Sequence, residues 1–171
     1  DRRVKAVVAQ VPAIGSPTSR HARSPERWER DSRIMIEDRI DRYRTGAVEY
    51  VKVVALPGES CIIPGQPAYD FFVGSQASAP NWRNQLTRES LEKMREFDNV
   101  SSIGLVSPTP LMIIAGERDE LISFETIRSV FEKALEPKAL ISLPITHFEI
   151  YSEPWLSEAA AAAVDWFKKH V

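Results

Sequence analysis

Several common chemistries are excluded by what this chain lacks. It has one cysteine, Cys61, so no internal disulfide can form and no paired C-x-x-C zinc site exists. Its three histidines, His21, His147 and His170, are scattered and no H-E-x-x-H is present, so no metal is expected. The seven glycines build neither a G-x-G-x-x-G turn nor a Walker A loop, which removes the usual nucleotide cradles; no cofactor is expected. No apolar stretch approaches the roughly 20 residues that cross a bilayer, so no membrane partner is expected. A formal net charge of −2 gives no electrostatic reason to expect nucleic acid or an anionic surface. A lone cysteine fits a cytoplasmic setting. The sequon Asn99-Val100-Ser101 reads as a chance occurrence.

What is present suits one globular domain: 171 residues, with hydrophobic and charged fractions ordinary enough to bury a sizeable core. Residues 4–10, VKAVVAQ, read as a buried parallel strand that starts almost at the first residue, Asp1. An α/β domain that opens so abruptly points to a longer parent whose N-terminal part precedes this chain. Ser24-Pro25-Glu26 is a helix start, and the helix should run to Gly46 with Trp28, Met35, Ile36, Ile40 and Tyr43 near one face. Arg20, Arg23, Arg27 and Arg30 form a basic stripe, interleaved with Glu26, Glu29 and Asp31, that reads as a solvated face. Residues 50–56 look strand-like, after which Pro57, Pro64, Pro67 and Pro80 interrupt regular structure. Further elements are a helix over 87–97, strands over 111–115 and 139–143, a helix from Phe124 to Leu135 with Ser123 as N-cap, and a last, alanine-rich helix over 153–169. His170, at the chain end, is expected in solvent.

The order is strand, long mostly helical insertion, strand, helix, strand, helix. That alternation implies a parallel sheet with right-handed crossovers. The domain division is therefore a core of 1–14 and 107–171, and a helical cap of 15–106, too long and helical to be a loop.

Two strand ends carry the chemistry. Leu111–Ala115 leads into Gly116-Glu117-Arg118-Asp119, and 140–143 leads into Pro144-Ile145-Thr146-His147-Phe148. Asp119 and His147 lie 28 residues apart with one helix between them. If the two strands are neighbours, about 4.8 Å apart, both residues emerge at one sheet edge. A carboxylate there can accept the imidazole Nδ1–H, hold its tautomer and stabilise the imidazolium. Glu117 competes for the carboxylate role.

The runs SPTPLMIIAGERD and EPKALISLP, the segment THFEIY, and the alanine-rich helix ending in Asp165-Trp166-Phe167 resemble the C-terminal portion of an α/β-hydrolase. They are similar to a fungal and bacterial group containing polyketide-pathway acyl hydrolases and transferases. RRVKAVVAQVPA resembles that group's sixth strand, and Asn81–Ser90 resembles a stretch of its cap. The resemblance implies α/β class: a partial α/β-hydrolase fold of parallel strands with a mostly helical cap. It implies Asp119 as triad acid and His147 as base, a small apolar acyl or polyketide-like substrate, and an apolar pocket to which Trp82, Tyr69, Phe72 and Phe148 are candidates; aromatic packing explains each of these equally well.

The family's G-x-S-x-G elbow is absent. Gly58-Glu59-Ser60-Cys61-Ile62 has its first glycine and serine and precedes Asp119 and His147 in the right order. Position 62 is isoleucine, however, and Ile63-Pro64-Gly65-Gln66-Pro67 is not expected to begin a helix. Ser60 and Cys61 therefore read as loop residues. An ester- or thioester-cleaving or acyl-transferring enzyme is the first expectation, with nucleophile and oxyanion donors outside this sequence. Alternatives are an isomerase, cyclase or lyase using a His147–Asp119 base, and a non-catalytic binding module. An unpaired edge on strand 4–10 leads to the expectation of self-association or pairing with an N-terminal half.

Overall fold

The computed structural model describes residues 3–171. Its elements run β1 (Val7–Gln10), α1 (Pro17–Arg23), α2 (Pro25–Thr45), β2 (Tyr50–Val51), α3 (Gln66–Gly74), β3 (Leu86–Thr87), α4 (Arg88–Glu96), β4 (Leu111–Gly116), α5 (Phe124–Lys133), β5 (Lys138–Leu143) and α6 (Trp155–His170), with short 3-10 turns between some of them. The chain forms two units. One holds the chain up to Gly15 together with Asp98–Val171; the other is Ser16–Phe97.

The first unit is built on a parallel sheet of order β1-β4-β5. The central strand, β4, is apolar throughout, and all six of its residues are buried. Its side chains alternate. Met112 and Ile114 face one way, toward Trp166 and Ala159 of α6, with Leu143, Ile145 and Ile150. Leu111, Ile113 and Ala115 face the other, toward Ile127 and Val130 of α5. β1 and β5 follow the same parity: Val8, Ala139 and Ile141 join the α6 side, and Val7, Ala9 and Leu140 the α5 side. A residue-by-residue register, Val7 opposite Leu111 and Leu111 opposite Lys138, keeps these faces aligned.

Helix ends are specified locally. The Ser123 hydroxyl accepts the Thr126 amide to open α5. Lys138 closes it, its ammonium donating to the carbonyls of Phe131, Glu132 and Ala134. Asn99 holds the chain leaving β1: its Oδ1 accepts from Gly15 N at 2.9 Å and its Nδ2 donates to Ala13 O at 2.7 Å. That clamp, with Val100, Ile103 and Val106 packed on the α5 side, puts residues 98–106 in the sheet-bearing unit, so the insertion ends at 97, not at 106.

In the second unit α2 and α4 pack together and β2 pairs antiparallel with β3. Gly46 stops α2 in the left-handed conformation, φ 73°. Thr87 opens α4 by accepting the Ser90 amide.

Five readings of the sequence differ from the structure. β1 starts at Val7, not Val4: its first ladder bond is Val7 N to Pro110 O, and the proline ring has no N–H with which to extend the pairing backward. The strand-like run 50–56 pairs only over Tyr50–Val51; beyond it Ile62 and Ile63 donate to the Lys52 and Val53 carbonyls, and the Asn84 amide clasps both backbone groups of Val54. A helix does begin at Gln66, because Pro67 falls in its first turn, where no intrahelical N–H is required. The face of α2 is not the apolar one: Ile36, Ile40 and Tyr43 are exposed, and Met35 and Asp38 are buried. His170 is not solvated; its ring lies 4.2 Å from that of Trp166 and its Nε2 is buried.

Candidate active site

The pairing of β4 and β5 continues into the loops that follow them. Glu117 N donates to Leu143 O at 2.8 Å, and Arg118 N to Ile145 O at 3.0 Å. Two loops far apart in sequence are thereby zipped together at one sheet end. Gly116 makes the approach possible: a Cβ there would sit 2.6 Å from the Ile145 carbonyl oxygen.

Asp119 and His147 come off this zipper in contact. The His147 Nδ1 and the Asp119 Oδ2 are 2.7 Å apart. The other carboxylate oxygen, Oδ1, accepts the amides of Leu121 and Ile122 at 2.8 and 2.9 Å. With both oxygens engaged, the carboxylate has little rotational freedom, and its side chain is only 3% exposed. An ionised Asp119 can only accept, so Nδ1 carries the hydrogen and Nε2 is the nitrogen left to exchange a proton. Glu117, the competing carboxylate, is exposed.

His147 sits in a braced loop. The Glu149 carboxylate accepts the Thr146 amide at 2.6 Å and lies 3.5 Å from the Arg118 guanidinium. Those contacts hold the Glu149 carboxyl below the ordinary carboxylate range, the backbone hydrogen bond from Thr146 first among them. The Phe148 ring meets the His147 imidazole edge-on, 4.9 Å between centroids. Burial, and then the negative charge of Asp119, raise the Tyr151 phenol above its ordinary value. Neither Glu149 nor Gly116 was singled out from the sequence, although a glycine closing an apolar strand is the signal of a close backbone approach.

The other sequence candidates lie elsewhere. Tyr69, Phe72 and Trp82 belong to the inserted unit, where the Phe72 and Trp82 rings stack at 5.8 Å and Tyr69 is half-buried. Ser60 is exposed, and the Cys61 thiol donates to Ile63 O. No helix follows directly: α3 starts only at Gln66, so the segment lacks the strand-turn-helix geometry that an elbow serine requires. Among the described residues no group of three His, Cys, Asp or Glu side chains could hold a metal ion, and no helix is long and apolar enough to cross a membrane.

Solved structures match this architecture. An α/β-hydrolase, GrgF from a Penicillium species, superposes with TM-score 0.78 at 24% identity over 99% of this chain and 57% of its own. The fold is that of an α/β-hydrolase. DcsB, solved with a substrate analogue, aligns at TM-score 0.81 and 23% identity, covering 100% of this chain and 58% of its own. Among curated proteins the chain is similar to polyketide transferase ATR5 of Stachybotrys chlorohalonatus, 27% identical over 154 residues, 82% of this chain and 47% of that protein. The chain thus spans about half the length of these proteins. No family model matches it.

Proposed function

We propose that this chain contributes the Asp–His part of a serine-type acyl hydrolase or acyltransferase, with His147 as general base and Asp119 as its orienting partner. The observation that carries the reading is the 2.7 Å bond from Nδ1 to a buried carboxylate whose second oxygen is held by two backbone amides. A serine hydroxyl, supplied by the remainder of the parent protein, gives its proton to His147 Nε2 as its oxygen attacks an ester or thioester carbonyl. His147 then returns that proton to the leaving group, and Asp119 stays ionised throughout. The inserted unit serves as cap, and Trp82, Tyr69, Phe72 and Phe148 give an apolar acyl group its contacts. Similarity to a polyketide transferase favours a polyketide-like acyl chain. β1, one of the two outer strands of the three, pairs with the rest of the parent or with a second copy.

The test is turnover of a p-nitrophenyl ester and an acyl thioester by the protein encoded with its upstream segment. His147→Ala and Asp119→Asn each lower kcat, the latter by about 10⁴-fold, with circular dichroism unchanged. Undiminished turnover in the His147 variant sinks the reading. One observation favours a second reading, proton abstraction without a serine: among the described residues the only side chain hydrogen-bonded to His147 is Asp119. A fluorophosphonate probe separates the two. Labelling of a serine supports the first; His147-dependent turnover without labelling supports the second.

A further inference from the structure

The basic stripe read as a solvated face in the sequence is exposed at Arg23, Arg27 and Arg30 and half-buried at Arg20, and all four residues border a cavity. The chain breaks at Ser24, between α1 and α2. Arg20 and Arg23 on one side of the break, Arg27 and Arg30 on the other, and Arg95 on α4 all line the same cavity, which holds about 740 Å³. That volume is in the range of small-ligand sites. Lys52, Ser60 and Arg88 add polar lining, and an apolar wall is formed by Trp28, Ile34 and Met35 from α2 with Leu91 and Met94 from α4.

Charge in this cavity is poorly balanced from within. Arg27 and Arg30 share one carboxylate, Asp31, at 3.5 and 3.4 Å. Arg20 donates to the main-chain oxygens of Arg95 and Phe97, both at 3.0 Å. Arg95 donates to Trp28 O and Ser32 Oγ and lies 3.9 Å over the Trp28 ring. Among the described residues, none of Arg20, Arg23 and Arg95 has a carboxylate at ion-pair distance. Burial depresses the Arg95 pKa, the Asp31 charge opposes that, and the neighbouring Arg20 charge adds to it. Converging guanidiniums repel one another, most strongly at half-buried Arg20 and Arg95, and a bound anion offsets that cost through forked, charge-assisted hydrogen bonds. The apolar wall accepts no such head group but does accept a hydrocarbon chain.

The geometry points to a binding site within the inserted unit for an anionic amphiphile: a carboxylate or phosphate head on the arginines, with an apolar tail along Trp28, Met35 and Leu91. This site involves none of the residues of the Asp119–His147 pair, and it stands whether or not that pair is catalytic.

The test is calorimetric titration of the protein with decanoate, decyl phosphate, decanol and inorganic phosphate. At least one anionic amphiphile binds saturably at one site, with a Kd under about 0.1 mM, and decanol and inorganic phosphate each bind at least about tenfold more weakly. The tighter of decanoate and decyl phosphate identifies the head group. Exposed Arg23 and Arg27 are changed together, Arg23→Ala with Arg27→Ala, which spares the fold. That variant raises the Kd by about tenfold or more, the loss of one or more charge-assisted hydrogen bonds. Equal affinity for decanol, equal affinity for inorganic phosphate, an unchanged Kd in the double variant, or no saturable binding by either amphiphile overturns the proposal.

Discussion

In the sheet-bearing unit β4 buries every residue and sorts its side chains onto two faces, whereas in the inserted unit the buried hydrophobic side chains are Met35, Val54, Ala55 and Ala68. The inserted unit relies instead on charge. Arg42 pairs with buried Asp38 and reaches Glu89 and Glu92 on α4, Arg39 joins Glu92, and Arg88 joins Glu49. Apolar strands buried on both faces leave little choice of register, because a one-residue slip exchanges the two faces. Ion pairs with at least one partner open to solvent, such as Arg39–Glu92 and Arg88–Glu49, constrain geometry less and are partly screened by salt. The difference explains why Asp119 and His147, held at a fixed distance, sit at the end of the sheet, and why the inserted unit keeps an open cavity.

Truncation in each core tests the contrast most directly. Ile114→Ala should cost about 2–5 kcal/mol of unfolding free energy in urea. Val54→Ala in the inserted unit should cost about 1–2 kcal/mol, two methyl groups' worth of burial. Equal costs would remove the distinction between the units. Gly116→Ala comes next. Its Cβ meets the Ile145 carbonyl at 2.6 Å, so the loop zipper must open, at about 1–3 kcal/mol. The Nδ1 proton of His147, visible by NMR while it is bound to Asp119, should broaden or shift in that variant; an unchanged resonance would mean that the zipper does not set the pair.

Salt should act on one unit. In 1 M NaCl, where the screening length is about 3 Å, amide exchange should accelerate in α2 and α4 and hold steady in β4. The smallest effect is acid sensitivity of the His147 loop. The Glu149 carboxyl is lowered in the folded state, so its contribution is present above the unfolded-state value, about 4.3, and is lost as pH falls through the lower folded value. The stability gap between the wild type and Glu149→Gln should therefore be open at neutral pH and close in acid. A gap independent of pH would remove Thr146–Glu149 as a brace.

Legibility in the sequence followed the same division. The three strands of the sheet, helices α5 and α6 and the Asp119–His147 spacing could be read because their apolar periods match their burial. The full span of α2 was legible from Pro25 and Gly46, but its buried face was not: Met35 and Asp38 point inward while Ile36 and Ile40 do not. Helix propensity and capping are local; which side of a charged helix is covered depends on its partner, here α4. α3 was hidden by prolines whose effect depends on position, since Pro67 at the second helical residue is harmless and deeper in the helix would not be. Asn99 and Lys138 act through backbone groups distant in sequence or on another element, and no pattern of residue types announces such bonds.

By itself the sequence determined the α/β alternation, the central apolar strand and the two loops that carry a carboxylate and an imidazole, because these follow from short continuous apolar runs and from turn residues within a few positions of one another. Only the tertiary structure decided that Asp119 and not Glu117 meets His147, that Gly116 lets the two loops close, and that six arginines from three helices line one cavity. Those outcomes depend on strand order and helix packing, which bring together groups that local sequence cannot relate.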